Sequence, residues 1–333
     1  MQINRRRFIT ISAAASVTAG SIANSQAFAD AATAAPWRWQ GTALGAKASL
    51  LLHHPDKKEA ARIVSACVAE VSRLENIFSL YREGSALVQL NQKGFLDYPP
   101  LELVQALADC RRISDICGGA FDVSVQPLWQ LYAGHFSKAD PDPEGPSAQD
   151  IEAARNLVDY RHILINPDRI ELAKPGMAIT LNGFAQGYIT DRVADLLRAE
   201  GLKNVLVDMG ETRALDEHPD ARPWRVGIRD PKDNQGTVRT LQVENQATAT
   251  SGGYGQTFHS NSSLHHLFNP QTGSASQLYA SVTVKASLAA TADALSTALS
   301  CLPSEKVADC LKQAGAEAAY ILHHDGSFED IRA

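Results

Sequence analysis

Apolar positions recur in this chain at helical spacing in some stretches and as short runs in others. Residues 48–52, with three leucines at their end, predict a first strand. From Asp56, a fitting N-cap, Ile63, Val64, Cys67, Val68, Val71 and Leu74 recur at helical spacing through Phe78. A turn-like segment at 78–85 leads into a short helix that reaches Leu90 and Asn91. Another helix follows Pro99 and Pro100, carries Leu103, Leu107, Cys110 and Cys117 inward, and stops at the pair Gly118–Gly119, as helices do at glycine. Residues 119–123 then read as the start of a new strand. The Asp-, Pro- and Gly-rich residues 137–147 form the clearest loop, and 162–165 and 169–172 flank Asn166-Pro167-Asp168 as a hairpin. The run at 178–181 predicts a strand that enters a turn holding Gly183 and Gly187, followed by a helix with Val193, Leu196 and Leu197 inward, closed by Gly201. A strand is predicted at 204–209. In a helix predicted at 287–302, Leu288, Ala292, Leu295, Leu299 and Leu302 form one buried stripe. Residues 30–41 read as a linker ending in Trp37 and Trp39. Helices interspersed with hairpins place the chain in the α+β class.

The N-terminus changes the picture of where the protein works. Arg5-Arg6-Arg7-Phe8 followed by small and apolar residues, then Ala27-Phe28-Ala29, reads as a twin-arginine export signal over residues 1–29, removed to leave 30–333. A periplasmic location follows as an expectation. No cysteine stands near the cleavage pattern, and no other stretch approaches the ~18 apolar residues of a membrane span, so no direct membrane anchor is expected. Removing the three signal arginines from the 31 basic residues leaves 28 against 37 acidic ones, a net of −9. That balance argues against nucleic acid and anionic lipid as partners. The five cysteines, Cys67, Cys110, Cys117, Cys301 and Cys310, have neither zinc nor CxxC spacing and read as small core residues.

Chemistry concentrates in four places. A glycine-bearing turn ahead of a helix, as at Gly183–Gly187, brings backbone N–H groups toward a phosphate, although an ordinary strand-to-helix turn fits the same residues. Asp293 and Thr297 lie four apart, so both project from one helix face and could offer oxygens to a hard cation. An exposed Asp and a Thr bonded to its own helix fit that spacing equally. Thr250-Ser251-Gly252-Gly253-Tyr254 and His265-His266 form a polar concentration, with a histidine suited to moving a proton near neutral pH, although His-His pairs also stand at 53–54 and 323–324 and a surface or structural pair fits the same residues. Gly118-Gly119-Ala120-Phe121-Asp122 could let backbone approach a ligand.

Taken together these segments resemble the ApbE family, the FAD:protein FMN transferases. The resemblance rests on Phe78-Ser79-Leu80-Tyr81 with Ser85, Leu90 and Asn91; on residues 119–125 with Pro127 and Leu128; on Gly183-Phe184-Ala185-Gln186-Gly187-Tyr188 with Asp191 and Arg192; on Thr250-Ser251-Gly252 with Tyr254; on His265-His266 with Pro270, Thr272 and Gly273; and on residues 292–299. With the export signal, the form Leu181-Asn182-Gly183-Phe184-Ala185-Gln186-Gly187-Tyr188 also resembles the NosX branch. The resemblance implies a two-lobed fold, one lobe T-fold-like, with the nucleotide in the cleft between lobes. It implies transfer of FMN from FAD to a threonine hydroxyl of an acceptor protein with release of AMP, the acceptor being a NosR-like membrane flavoprotein. His266 would take the acceptor's proton. Leu44, Tyr81, Ala120, Phe121, Asp122, Thr180, Gln186 and Leu267 would contact FAD, and Gly183, Asp293 and Thr297 would bind Mg²⁺. The chain departs from the family pattern at Leu44 (Met), Thr180 (Asp), Gln186 (Lys or Glu), Glu211 (Gly), Asn269 (Asp) and Ala290 (a carboxylate in some members). Those departures motivate a second reading, a periplasmic FAD carrier, and a Mg²⁺-dependent FAD pyrophosphatase is a third.

Overall fold

Thirteen strands and eight α-helices are formed among residues 37–52, 54–232, 236–259 and 263–333, which the computed structural model describes. The export signal at 1–29 lies outside the described residues. The strands are β1 (Trp37–Ala43), β2 (Ala46–Leu52), β3 (Phe95–Asp97), β4 (Ile163–Asn166), β5 (Arg169–Leu172), β6 (Val205–Asp208), β7 (Thr212–Leu215), β8 (Trp224–Arg229), β9 (Thr237–Val243), β10 (Ala247–Ser251), β11 (Ser281–Ala286), β12 (Ala316–Leu322) and β13 (Phe328–Arg332). The helices are α1 (Lys57–Phe78), α2 (Ala86–Lys93), α3 (Leu101–Ile116), α4 (Gln126–Phe136), α5 (Ala148–Arg155), α6 (Ala185–Ala199), α7 (Ala289–Leu299) and α8 (Val307–Ala314).

Eight strands make one sheet in the order β1-β2-β6-β7-β10-β11-β12-β13, every neighbouring pair antiparallel. Strands β3-β5-β4 form a small second sheet, and β8–β9 stand as a hairpin. Helix and antiparallel sheet in these proportions define an α+β fold. Helix α7 lies on β10 and β11, and α6 packs on α7 and on α1. Almost every residue of α7 is buried, Asp293 and Ser296 among them. Asp56 caps α1 as expected, its Oδ1 accepting the N–H groups of Lys58 and Glu59 at 2.7 and 3.3 Å. All five cysteines are free and buried.

Four expectations need correction. Residues 37–40 belong to β1 rather than to a linker. Their strict alternation of half-buried and exposed positions is that of an edge strand paired with β2 alone. Residues 178–181 form no strand and join no sheet. Asn91 holds both backbone groups of Ile179, donating from Nδ2 to its carbonyl at 2.8 Å and accepting its N–H on Oδ1 at 2.7 Å. Residues 119–123 do not begin a strand. Asp122 instead caps a 3₁₀ turn at Val123–Val125 that runs into α4. Leu288 is 43% exposed because it is the N-cap of α7 and precedes its buried stripe.

Candidate functional site

Asp293 is the buried centre of the site. It projects from α7 and is 4% exposed, with one carboxylate oxygen accepting the Gly187 N–H at 3.0 Å. No Lys, Arg or His pairs with it among the described residues. Burial, with Asp191 adding to it and the Gly187 bond opposing, pushes its carboxyl up to about 7. Thr297, one turn further along α7, lies against Gly183. A Cβ on Gly183 would stand 2.8 Å from Thr297 Oγ1, so the loop backbone reaches this hydroxyl only because residue 183 has no side chain. Thr297 Oγ1 is also 3.2 Å from Ser251 Oγ, at the end of β10, and Ser251 bonds Ser296 at 2.7 Å. Gly183, Asp293 and Thr297 therefore converge, and neither an exposed Asp nor a back-bonded Thr describes them.

Two features hold these groups in place. Helix α6 comes so close to the start of α7 that a Cβ on Gly187 would meet the Ala289 carbonyl oxygen at 2.3 Å. Asp191 of α6 then caps α7 from outside, accepting the N–H groups of Ala289 and Ala290 at 2.9 Å each. Its charge is matched by buried Arg213 at 2.6 Å. Gln186 lies over Gly210, whose φ of +106° suits only glycine.

His266 belongs to a second wall. It follows β10 through the short turn at Gly253–Gly255, where the Cβ position of Gly255 is 3.6 Å from His266 Cε1 and that of Gly253 overlaps the buried ring of His265. His266 Nδ1 is 3.1 Å from the Gln256 carbonyl, so Nδ1 carries the hydrogen and Nε2 keeps its lone pair. Burial holds the ring below its usual pKa while the Gln256 carbonyl raises it, leaving a neutral imidazole at pH 7. Leu267 beside it is buried and accepts the Ser276 N–H at 2.8 Å.

The remaining residues fall into two groups. Leu44 and Gly45 (φ 47° and 84°) form the two-residue turn between β1 and β2. The Leu44 N–H donates to Glu75, which also pairs with Arg82 next to Tyr81, so one carboxylate ties Leu44 and Tyr81 together. Tyr81 is 69% exposed and, with Asn91, Trp129, Lys174 and Asn182, lines a cavity of about 810 Å³. That is ample for a dinucleotide part. Ala120 and Phe121 are buried, and both Asp122 oxygens are committed within the fold, to Ser124 N and Oγ at 2.7 and 2.6 Å and to the Tyr160 N–H at 2.9 Å. This segment offers a ligand its backbone rather than that carboxylate. Thr180 joins it through its N–H to the Val123 carbonyl at 2.8 Å. A second hollow of about 320 Å³ beside Gly119, Asp122 and Pro270 shares Lys174 with the first.

Sequence reasoning gave Glu75, Asp191 and Arg213 no role. Their partners lie 31, 98 and 22 residues away, and no local spacing signals such pairs.

The donor set suits a hard divalent cation. A buried, cation-free carboxylate, a hydroxyl and a loop backbone are oxygen donors, and Mg²⁺ takes only one or two protein carboxylates. Among the described residues no three His, Cys, Asp or Glu side chains group as a metal site, so any cation here shares its shell with water or substrate. Fold and site together define an α+β protein with a nucleotide-sized cavity beside an oxygen-lined, buried acidic centre. The ApbE family model matches residues 42–321, and the chain belongs to the ApbE family. It is 27% identical to the FAD:protein FMN transferase of Escherichia coli K12 over 81% of this chain and 79% of that one. It is 30% identical to the enzyme of the same name from Vibrio cholerae, over 68% and 70%. Among solved structures it is similar to the apo flavinyl transferase ApbE of Pseudomonas stutzeri, at 26% identity and TM-score 0.74 over 90% of this chain and 94% of that one. The ApbE protein of Thermotoga maritima gives 26% and 0.78 over 89% and 97%.

Proposed function

We propose that this chain transfers FMN from FAD to a threonine hydroxyl of an acceptor protein, releasing AMP, in a Mg²⁺-dependent reaction in the periplasm after twin-arginine export. The observation that carries this reading is the convergence of Gly183, Asp293 and Thr297 in a member of a family whose curated relatives are named FAD:protein FMN transferase.

In this reading Leu44 and Tyr81 flank the flavin end of FAD. The backbone of Ala120, Phe121 and Asp122, with Thr180, Gln186 and Leu267, holds the rest. His266 Nε2 takes the proton of the acceptor hydroxyl as its oxygen attacks the FMN-side phosphorus. The new P–O bond forms, the pyrophosphate bridge breaks, and AMP leaves with the bridging oxygen. Asp293, Thr297 and the Gly183 carbonyl would hold Mg²⁺, which when bound neutralises charge on the phosphate oxygens and orients them. The acceptor is a NosR-like membrane flavoprotein.

The test is to incubate the protein with FAD, Mg²⁺ and an acceptor bearing a threonine flavinylation segment, then weigh the acceptor. An added FMN mass is expected. Asp293→Ala and His266→Ala are each expected to slow its appearance by about 100-fold or more. Free FMN without adduct, or tight FAD binding without AMP, would overturn transfer in favour of a pyrophosphatase or a carrier.

A further inference from the structure

Glu211 closes the turn between β6 and β7, where its carbonyl accepts the Met209 N–H at 3.1 Å. Two residues on, Arg213 of β7 reaches Asp191 of α6 on the sheet face that α6 and α7 cover. On neighbouring β10, Ser251 points to that same face and meets Ser296 and Thr297 of α7. Glu211 Oε2 accepts the N–H of Thr250, the residue before Ser251, at 3.3 Å. The Glu211 carbonyl lies 3.1 Å from Thr190 Oγ1, a hydroxyl that also donates to the Gln186 carbonyl at 2.8 Å. Residue 211 is thus bracketed by the turn of α6 that binds Asp293 and by the strand end that touches Thr297.

This acid has no charge partner. Among the described residues no cation pairs with it, and the Thr250 N–H is the one donor to its side chain. Its carboxyl shares this interior with that of Asp293, and Asp208 is close as well. Two carboxylates sharing a desolvated space are costly unless one is protonated or a cation lies between them. Ala290, on the facing helix, brings no side-chain oxygen.

We propose that Glu211 is a second carboxylate of the divalent-cation site, facing Asp293 from the sheet and binding the cation itself or through one of its waters. This rests on the cation reading above and adds a residue to it. Glu211→Gln keeps an acceptor for the Thr250 N–H, so it removes the charge while sparing the bond.

The experiment is a titration of Mn²⁺ into the FAD-loaded protein, with free Mn²⁺ read by EPR and Mg²⁺ added as competitor, on wild type, Glu211→Gln and Asp293→Ala. Circular dichroism melts run alongside. The Mn²⁺ Kd of Glu211→Gln is expected to rise about 10-fold or more with an unchanged spectrum, the scale for groups that tune a metal site. Asp293→Ala is expected to abolish the same binding event. Wild-type affinity in Glu211→Gln, with loss in Asp293→Ala, overturns the role of Glu211 and leaves the cation site standing. No specific binding by wild type, or no change in either variant, overturns both.

Discussion

Gly183 owes its place to the hydroxyl beside it. A side chain there would have to displace Thr297, and with it the contact to Ser251. The Gln186 side chain covers Gly210 and is half-buried. Gly183→Val is therefore expected to cut flavin transfer by about 100-fold, the cost of a misplaced reacting geometry, and to hurt far more than Gln186→Ala. Transfer rates of the two purified variants check this, and the opposite ranking would mean that the loop does not border the reacting groups. At this scale the sequence was legible wherever neighbours in the chain are neighbours in the site. The spacing of Asp293 and Thr297 was enough to put them on one face. It could not show that the face was buried, because burial comes from β10 and the Gly183 loop, which reach α7 from distant parts of the chain.

Helices α6 and α7 form a clamped pair. Gly187 lets their backbones touch, and Asp191 caps the second helix from the first. A methyl group at 187 must push the start of α7 outward. Gly187→Ala is expected to cost about 1–3 kcal/mol as over-packing, read as a lower urea midpoint at unchanged m-value. An unshifted midpoint would refute the close approach. Elements with strong periodicity, such as α1, were plain from the sequence. Trp37 and Trp39 were not, since alternation in an edge strand next to Arg38 and Gln40 looks like any polar linker with two aromatics. Residues 178–181 misled for the opposite reason. Their apolar character reflects burial beneath α2 and the 3₁₀ turn rather than a place in a ladder.

For the molecule as a whole, His265 links stability to acidity. Burial holds its ring at about 4, with His266 lowering it further and a backbone bond at Ser276 raising it, against 6.5 for an ordinary imidazole. Between those values the unfolded chain binds a proton that the folded one refuses, so the unfolded state gains as pH falls through this window. Protonation would also end the acceptance of the Leu267 N–H by Nδ1. The wild-type melting temperature is expected to fall more steeply between pH 6.5 and about 4 than that of His265→Gln. Parallel curves would show that the ring titrates normally. The α+β class and the order of the site segments along the chain were readable in advance. The eight-stranded order was not, because β2 pairs with β6, and β7 with β10, across long stretches of intervening chain.

Asn91 carries a last consequence. Its amide does for Ile179 what an adjoining strand would do, satisfying both backbone groups with one side chain. A ladder can slip by two residues and rebuild its bonds, but a single amide has no second rung to offer. The segment leading into Gly183 is therefore held at a fixed register by this one side chain. Asn91 in α2, with the Val123 carbonyl that takes the Thr180 N–H, sets the placement of a segment that lies 88 residues after it in the chain.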